Sequence, residues 1–168
     1  GYGAMVFNAL GPDNEFRKDA MAKGLSVLEK INKQCLEENI DEDGLAKDIY
    51  RSTAEKSEED QLAGMLVRSL LSAGIDTTVS AIGNLLWCFA ENPEQFQLVK
   101  DDKSLVGNAV EESLRLTSPV KAFCRTCATD TEVSGVVIEE GTKILCVLGS
   151  ANTDPAVWEN SYKYDVTR

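Results

Sequence analysis

Ser57 to Glu91 reads SEEDQLAGMLVRSLLSAGIDTTVSAIGNLLWCFAE, and this stretch decides the fold. Ser57 followed by Glu58, Glu59 and Asp60 puts a hydroxyl and nearby carboxylates just ahead of an apolar run. That arrangement satisfies the first free amides of a helix and suits its positive dipole end. From Gln61 to Ala90 there is no proline, and Arg68 and Asp76 are the only charged residues. Most of the circumference is therefore expected to be out of water. The stretch predicts one long core helix, a rod of roughly 50 Å.

The polar residues of the rod are not scattered. Arg68, Ser69, Ser72, Asp76, Thr77, Ser80 and Asn84 step by three or four, which sets them along one stripe of an apolar helix. Buried polar groups are costly unless paired, so such a stripe marks a polar network or a wet cavity. Midway lies Ala73-Gly74-Ile75-Asp76-Thr77-Thr78. Gly74 lets a ligand approach the backbone, Thr77 can bond the carbonyl four residues back and open the helix, and Asp76 can pass protons. The plain structural alternatives are a buried Asp76 tied to a basic neighbour and a Thr77 that does no more than back-bond.

A net charge of −11 argues against a nucleic-acid or anionic-membrane surface, both of which need concentrated Lys and Arg. Arg68, Asp76 and Asn84 interrupt the rod and no basic flank follows, so it is not read as a membrane span. The chain has no histidine, which removes Ser-His-Asp, Cys-His and His-containing metal sites from what it can build alone. Five widely spread cysteines suit a reducing compartment better than a disulfide framework. Cys124-Arg125-Thr126-Cys127 has C-x-x-C spacing, but no second pair or histidine accompanies it, and these are read as packing cysteines. The first residue is glycine, and the chain is expected to be a fragment.

Outward from the rod, Asp13 is expected to cap a surface helix whose buried stripe is Met21, Leu25, Leu28, Ile31 and Cys35. Asp41-Glu42-Asp43-Gly44 starts a shorter helix to about Thr53. After the rod, Asn92-Pro93 opens a helix to about Lys100. Ser104 begins another that halts at Ser118-Pro119 and carries Glu112 and Arg115 three apart. The pattern then alternates. Val120 to Ala128 predicts a strand, and 132–138 with 143–148 predict a hairpin turned at Glu139-Glu140-Gly141. Asn152-Thr153-Asp154-Pro155 predicts a helical turn through Trp158, and Tyr162 to Arg168 an irregular coil.

In this order the pieces resemble the haem-thiolate monooxygenases of the cytochrome P450 family. The segment Ala73 to Thr78 is similar to that family's oxygen-binding motif, and Glu112-Ser113-Leu114-Arg115 to its E-x-x-R. Ser150 to Arg168 resembles the segment leading to the third member of its Glu-Arg-Arg cluster. The resemblance covers essentially the whole chain. It implies a partial cytochrome P450 fold, mainly α with a small β-sheet, in which 1–168 is part of a single catalytic domain. The family's glycine-rich loop with the iron-ligating cysteine comes just after the third arginine. None of Cys35, Cys88, Cys124, Cys127 or Cys146 sits in such a loop, so no metal ligand is assigned within these residues and activity is expected of the full-length parent only.

The resemblance further implies roles. Gly74 would widen the helix groove for dioxygen, Asp76 and Thr77 would deliver protons, and Ala73 and Arg125 would contact the haem, Arg125 through a propionate. Glu112, Arg115 and Arg168 would form a buried charge cluster with a structural role. Among bacterial members the chain is most similar to those that oxidise para-substituted benzoates. On that likeness Arg68, Ser69 and Ser72 would meet the substrate carboxylate, while Phe7, Leu10, Val120 and Phe123 would grip the ring. For Arg68 the alternative is a salt bridge to an acid on a neighbouring helix, and for Arg125 a strand arginine facing solvent. Leu10 departs from that subfamily, which often has an aromatic residue there.

The implied activity is a cytoplasmic, haem-dependent monooxygenase acting on a small aromatic acid by O-demethylation or hydroxylation. Dioxygen is the co-substrate, and electrons would come from an NAD(P)H-dependent ferredoxin reductase through a ferredoxin. Two alternatives stay open: a haem-free helical scaffold or interaction module, and a monooxygenase for terpenes or fatty acids.

Overall fold

The computed structural model describes residues 5, 6, 8, 12–53 and 60–168. Phe7, Leu10 and the Ser57 cap lie outside the described residues. The chain divides into two compact units, 1–78 and 79–168.

In the first unit Met5, Val6 and Asn8 are helical, and helix α1 runs over Glu15–Gln34. The cap of α1 is Asn14, not Asp13: its side chain accepts from Arg17 N at 3.0 Å. Of the expected α1 stripe Cys35 is buried and Met21, Leu28 and Ile31 are half-buried, but at Leu25 the stripe shifts. Ala20 and Gly24 are buried while Leu25 is 52% exposed. Met5 explains the shift, because its side chain fills the place a Cβ on Gly24 would take. A small face on α1 accepts a close neighbour where a leucine face would hold it off.

A 3₁₀ turn at Glu37–Asn39 follows α1, and helix α2 covers Leu45–Thr53. Tyr50 on α2 is buried and donates from its hydroxyl to Cys35 O at 2.8 Å, closing the end of α1. Lys47 bridges Glu37 and Glu42, each at 2.9 Å. Its hydrogen bonds to Glu42 and then Glu37 raise its pKa.

Helix α3 spans Asp60–Glu91 as 32 residues without a break. Its length is as expected, but its environment is not. Leu62, Met65, Leu66, Leu70, Leu71, Ile75, Val79, Ile82, Leu86 and Trp87 are all exposed large apolar residues. The core-rod expectation is corrected: no described residue covers most of this helix. By length and composition alone Leu62–Glu91 would also reach across a membrane.

The second unit has its core at Cys88, Val99, Ala109, Tyr164 and Val166, with Leu85, Phe89, Leu105 and Leu116 packed on it. Phe89 stacks tilted on Phe96 at 4.8 Å and meets Tyr164 edge-on at 6.1 Å. Helix α4 is Pro93–Asp101, with proline where its missing N–H costs nothing. A 3₁₀ turn at Lys103–Leu105 leads into α5, Val106–Thr117. Ser118 ends α5 in the left-handed region, φ 42°.

The strands pair differently from the expected hairpin. β1 (Phe123–Thr126) is antiparallel to β4 (Lys143–Cys146), with Cys124 opposite Leu145. Between them β2 (Thr131–Val133) and β3 (Val136–Ile138) form their own hairpin. The predicted single strand 132–138 is thus cut in the middle by Ser134 and Gly135, at φ 51° and 79°. Two successive positive φ values make the turn whose twist suits a two-residue hairpin. Cys127 is buried as expected of a packing residue, but Cys124 is exposed. A short helix α6, Leu148–Ala151, comes after β4. The expected helical turn through Trp158 is present as a single turn: Val157 N and Trp158 N both bond Asp154 O, and the Asp154 side chain accepts from Ala156 N at 2.8 Å.

Candidate functional site

In the second unit Glu112, Arg115 and Arg168 come together. The helical period puts Glu112 and Arg115 on one face of α5, and both are buried, 4% and 6% exposed. Arg115 donates from Nε to Glu112 Oε2 at 2.7 Å and from Nη2 to Oε1 at 2.9 Å. Its remaining N–H groups reach Asn152 O at 2.7 Å, Ser161 O at 2.6 Å and Lys163 O at 3.2 Å. Every donor of the guanidinium is used. Arg168 donates from Nε to Glu112 Oε1 at 3.1 Å, and Asp165 N reaches the same oxygen at 3.2 Å. Trp158 lies under both guanidinium groups, 5.2 Å from Arg115 and 6.0 Å from Arg168.

The cluster also orders the coil 162–168. Tyr164 donates to Ala109 O at 2.9 Å, and Val166 N to Gln95 Oε1 at 2.9 Å. Burial, with the charge of Glu112 as a lesser cause, pushes the Cys88 thiol up. Burial likewise pushes the Tyr164 hydroxyl well above the usual phenol range. A cavity of about 440 Å³ opens beside the pair, lined among others by Asn108, Glu111, Asn152 and Trp158. Trp158 and the acceptors Asn152, Ser161 and Lys163 were not legible as cluster members, since three of them serve only through backbone carbonyls. Trp158, at the end of the run toward Arg168, was the one available signal.

In the first unit the α3 stripe resolves into individual bonds. Ser69 donates to Met65 O at 2.8 Å, Ser72 to Arg68 O at 2.7 Å and Thr77 to Ala73 O at 2.6 Å. The Thr77 bond is the expected one, yet the helix does not open around it. Asp76 is half-buried and next to it. A Cβ on Gly74 would meet nothing within 4 Å. Among the described residues Arg68 has no acid as its partner: Nη1 donates to Asn32 Oδ1 on α1 at 2.7 Å. Asn32 lies between Leu28 and Cys35 on α1, and the sequence carried no signal of its pairing with Arg68.

In the second unit the expected strand from Val120 begins only at Phe123; Val120, in the bend before it, is half-buried and Phe123 is 45% exposed. Arg125 is exposed, lies over the Phe123 ring at 5.0 Å and donates to Cys124 O at 3.0 Å. Two observations bear on a haem. At Ala73-Gly74 the helix surface is bare enough for a flat ligand to approach the backbone. Arg125 carries a cation that a carboxylate can reach. The residues present fit the group at these two places, and none of the five cysteines is assigned as its ligand.

Comparison with known proteins accords with this geometry. The family profile "Cytochrome P450" matches residues 5–168. Cytochrome p450 CYP199A2 of Rhodopseudomonas palustris is 43% identical over 169 residues, covering 99% of this chain and 40% of its own. Cytochrome P450-terp of a Pseudomonas species is 42% identical over 100 residues, 60% of this chain and 23% of that one. Among solved structures, cytochrome P450 CREJ in complex with (4-ethylphenyl) dihydrogen phosphate superposes with a TM-score of 0.82 at 28% identity, covering 99% of this chain and 43% of its own. The chain thus spans about 40% of the length of its first such relative. With a profile match over nearly every residue and the Glu112, Arg115 and Arg168 cluster assembled, the chain belongs to the cytochrome P450 family.

Proposed function

We propose that the full-length protein carrying this chain is a haem-dependent monooxygenase that inserts one oxygen atom of dioxygen into a small aromatic carboxylic acid. The observation that carries the chemistry is the Thr77 hydroxyl on Ala73 O, one turn from Gly74 and beside Asp76 on an otherwise apolar helix. Haem supplies the oxygen-activating chemistry when bound. The chain's own part is proton handling and orientation. Thr77 Oγ1 rests on Ala73 O and, turned away from it, holds and passes a proton that Asp76 replenishes. Ala73 and Arg125 would hold the cofactor, Arg125 by pairing its cation with a carboxylate. Glu112, Arg115 and Arg168 hold the scaffold.

For the substrate, Arg68 with Ser69 and Ser72 supplies a cation and hydroxyls on a helix that is otherwise apolar. Val120 and Phe123, with Phe7 and Leu10, supply apolar contacts to the ring. The complex of the CREJ protein is with a para-substituted aryl phosphate, which is the same pairing of a ring and an anionic group. Electrons come from an NAD(P)H-dependent ferredoxin reductase through a ferredoxin, in the cytoplasm.

The test is spectroscopic. The reduced full-length protein under carbon monoxide should show the red-shifted Soret band of a thiolate-ligated haem. Titration with para-methoxybenzoate should then shift the iron from low to high spin. In Arg68→Ala the dissociation constant should rise at least about tenfold, a change of about 1.4 kcal/mol. A thiolate band with no shift sinks the aromatic-acid substrate and favours terpenes or fatty acids. No haem uptake favours the scaffold reading.

A further inference from the structure

The Arg68 side chain has an unusual partner. It is half-buried on an apolar helix, and such arginines are normally met by a carboxylate. Here Nη1 is met by the amide oxygen of Asn32 at 2.7 Å, and no ion pair among the described residues includes Arg68. An amide oxygen fixes the guanidinium in direction but leaves its unit charge uncompensated. The charge is felt nearby, since Arg68 opposes the burial that raises the Cys35 thiol. The anchor is itself well held: Asn32 lies in the last turn of α1, whose end is closed by the bond from Tyr50 to Cys35 O.

We infer that Asn32 is a positioning residue for substrate recognition, holding Arg68 by one nitrogen so that its remaining N–H groups and full charge are offered to a carboxylate. The inference rests on the aromatic-acid reading above. A carboxylate at position 32 would be the same shape and would bond Arg68 more strongly, but it would cancel the charge and repel the incoming anion. Specificity for acids over neutral rings thus lies in the neutrality of this side chain as well as in Arg68 itself.

The experiment uses the full-length haem-loaded protein, with para-methoxybenzoate and its methyl ester as probes and the spin-state shift as readout. Wild type should bind the acid at least about tenfold more tightly than the ester. Asn32→Asp should raise the acid's dissociation constant at least about tenfold while the ester's stays within about twofold. Asn32→Ala keeps the charge but frees the guanidinium, and should raise the acid's constant by about threefold. The reduced carbon monoxide band reports folding, and where Asn32→Asp does not load haem, Asn32→Ala decides alone. Acid constants within about twofold of wild type in the folded variants overturn the inference and leave the substrate reading intact. Equal wild-type affinity for acid and ester overturns the substrate reading first, and the inference with it.

Discussion

Arg115 holds Glu112 by two bonds at once, Nε on Oε2 at 2.7 Å and Nη2 on Oε1 at 2.9 Å, and the pair is almost wholly out of water. A buried pair of this kind is not large in net stability against an apolar equivalent, but breaking one side strands the other. Arg115→Lys cannot reach both carboxylate oxygens and three carbonyls, so it should destabilise the protein by about 3–5 kcal/mol. Arg168 is 22% exposed at its side chain, and Arg168→Ala should cost only about 1–2 kcal/mol. Urea unfolding of the haem-loaded protein checks the order of the two. Equal losses would show that the fork to Glu112 contributes nothing beyond a single charge contact.

Tyr164 should make the protein sensitive to alkali. Its folded pKa is raised by burial, so the folded state keeps the phenol proton while the unfolded chain loses it. Stability from this residue is whole below the unfolded value of about 10 and falls as pH rises beyond it. Cys88 acts with the same sign from about 8.5. Tyr164→Phe should cost about 1 kcal/mol at neutral pH through the lost bond to Ala109 O. It should also flatten the decline above pH of about 10 and leave the thiol's share. Denaturation curves across that range decide it, and an unchanged alkaline limb would falsify the assignment.

Gly24 should not tolerate even a methyl group. A Cβ there would fall 2.2 Å from Met5 Sδ, 2.4 Å from Cγ and 2.6 Å from Cβ. Gly24→Ala gains up to about 1 kcal/mol in helix propensity but loses about 1–3 kcal/mol to overpacking. The net effect should be destabilising. Met5→Ala removes the sulfur and Cγ but not Cβ, so in that background the penalty should shrink without vanishing. A melting temperature that rises in Gly24→Ala alone would show that Met5 simply moves aside.

Thr77→Val keeps the shape and removes the hydroxyl. If Thr77 hands on protons, product formed per NAD(P)H consumed should fall at least about tenfold. The dissociation constant of para-methoxybenzoate should change little. Product assay against cofactor consumption separates the two, and undiminished coupling would leave Thr77 as a back-bonded hydroxyl with Ala73 O as its one role.

The helices were largely legible, because their signals are local. Asn92-Pro93 marks the start of α4, and Ser118-Pro119 the stop of α5. The Glu112 and Arg115 spacing, commonplace by itself, gained meaning from Arg168 at the far end of the chain. Sheet pairing was less legible. Alternation across 132–138 is blind to a break, and the Ser134-Gly135 turn outranked the run around it. The polarity of the α3 stripe was visible, but not its partners: Asn32 is 36 residues from Arg68, and nothing local ties them. The exposure of α3 was misjudged because hydrophobicity shows that a face needs covering without showing whether the cover lies within the same 168 residues.

The coil at 164–168 has no ladder of its own, and side chains of α4 and α5 stand in for one. Gln95 takes Val166 N across 71 residues, Glu112 takes Asp165 N across 53, and Tyr164 reaches Ala109 across 55. Closing loops of that length costs on the order of 3–4 kcal/mol in chain entropy before any contact repays it. The helical turns of α4 and α5 close over a few residues and have no such delay. The coil is therefore the last piece of its unit to dock during folding, and the charge cluster, which needs Arg168, completes only when it does.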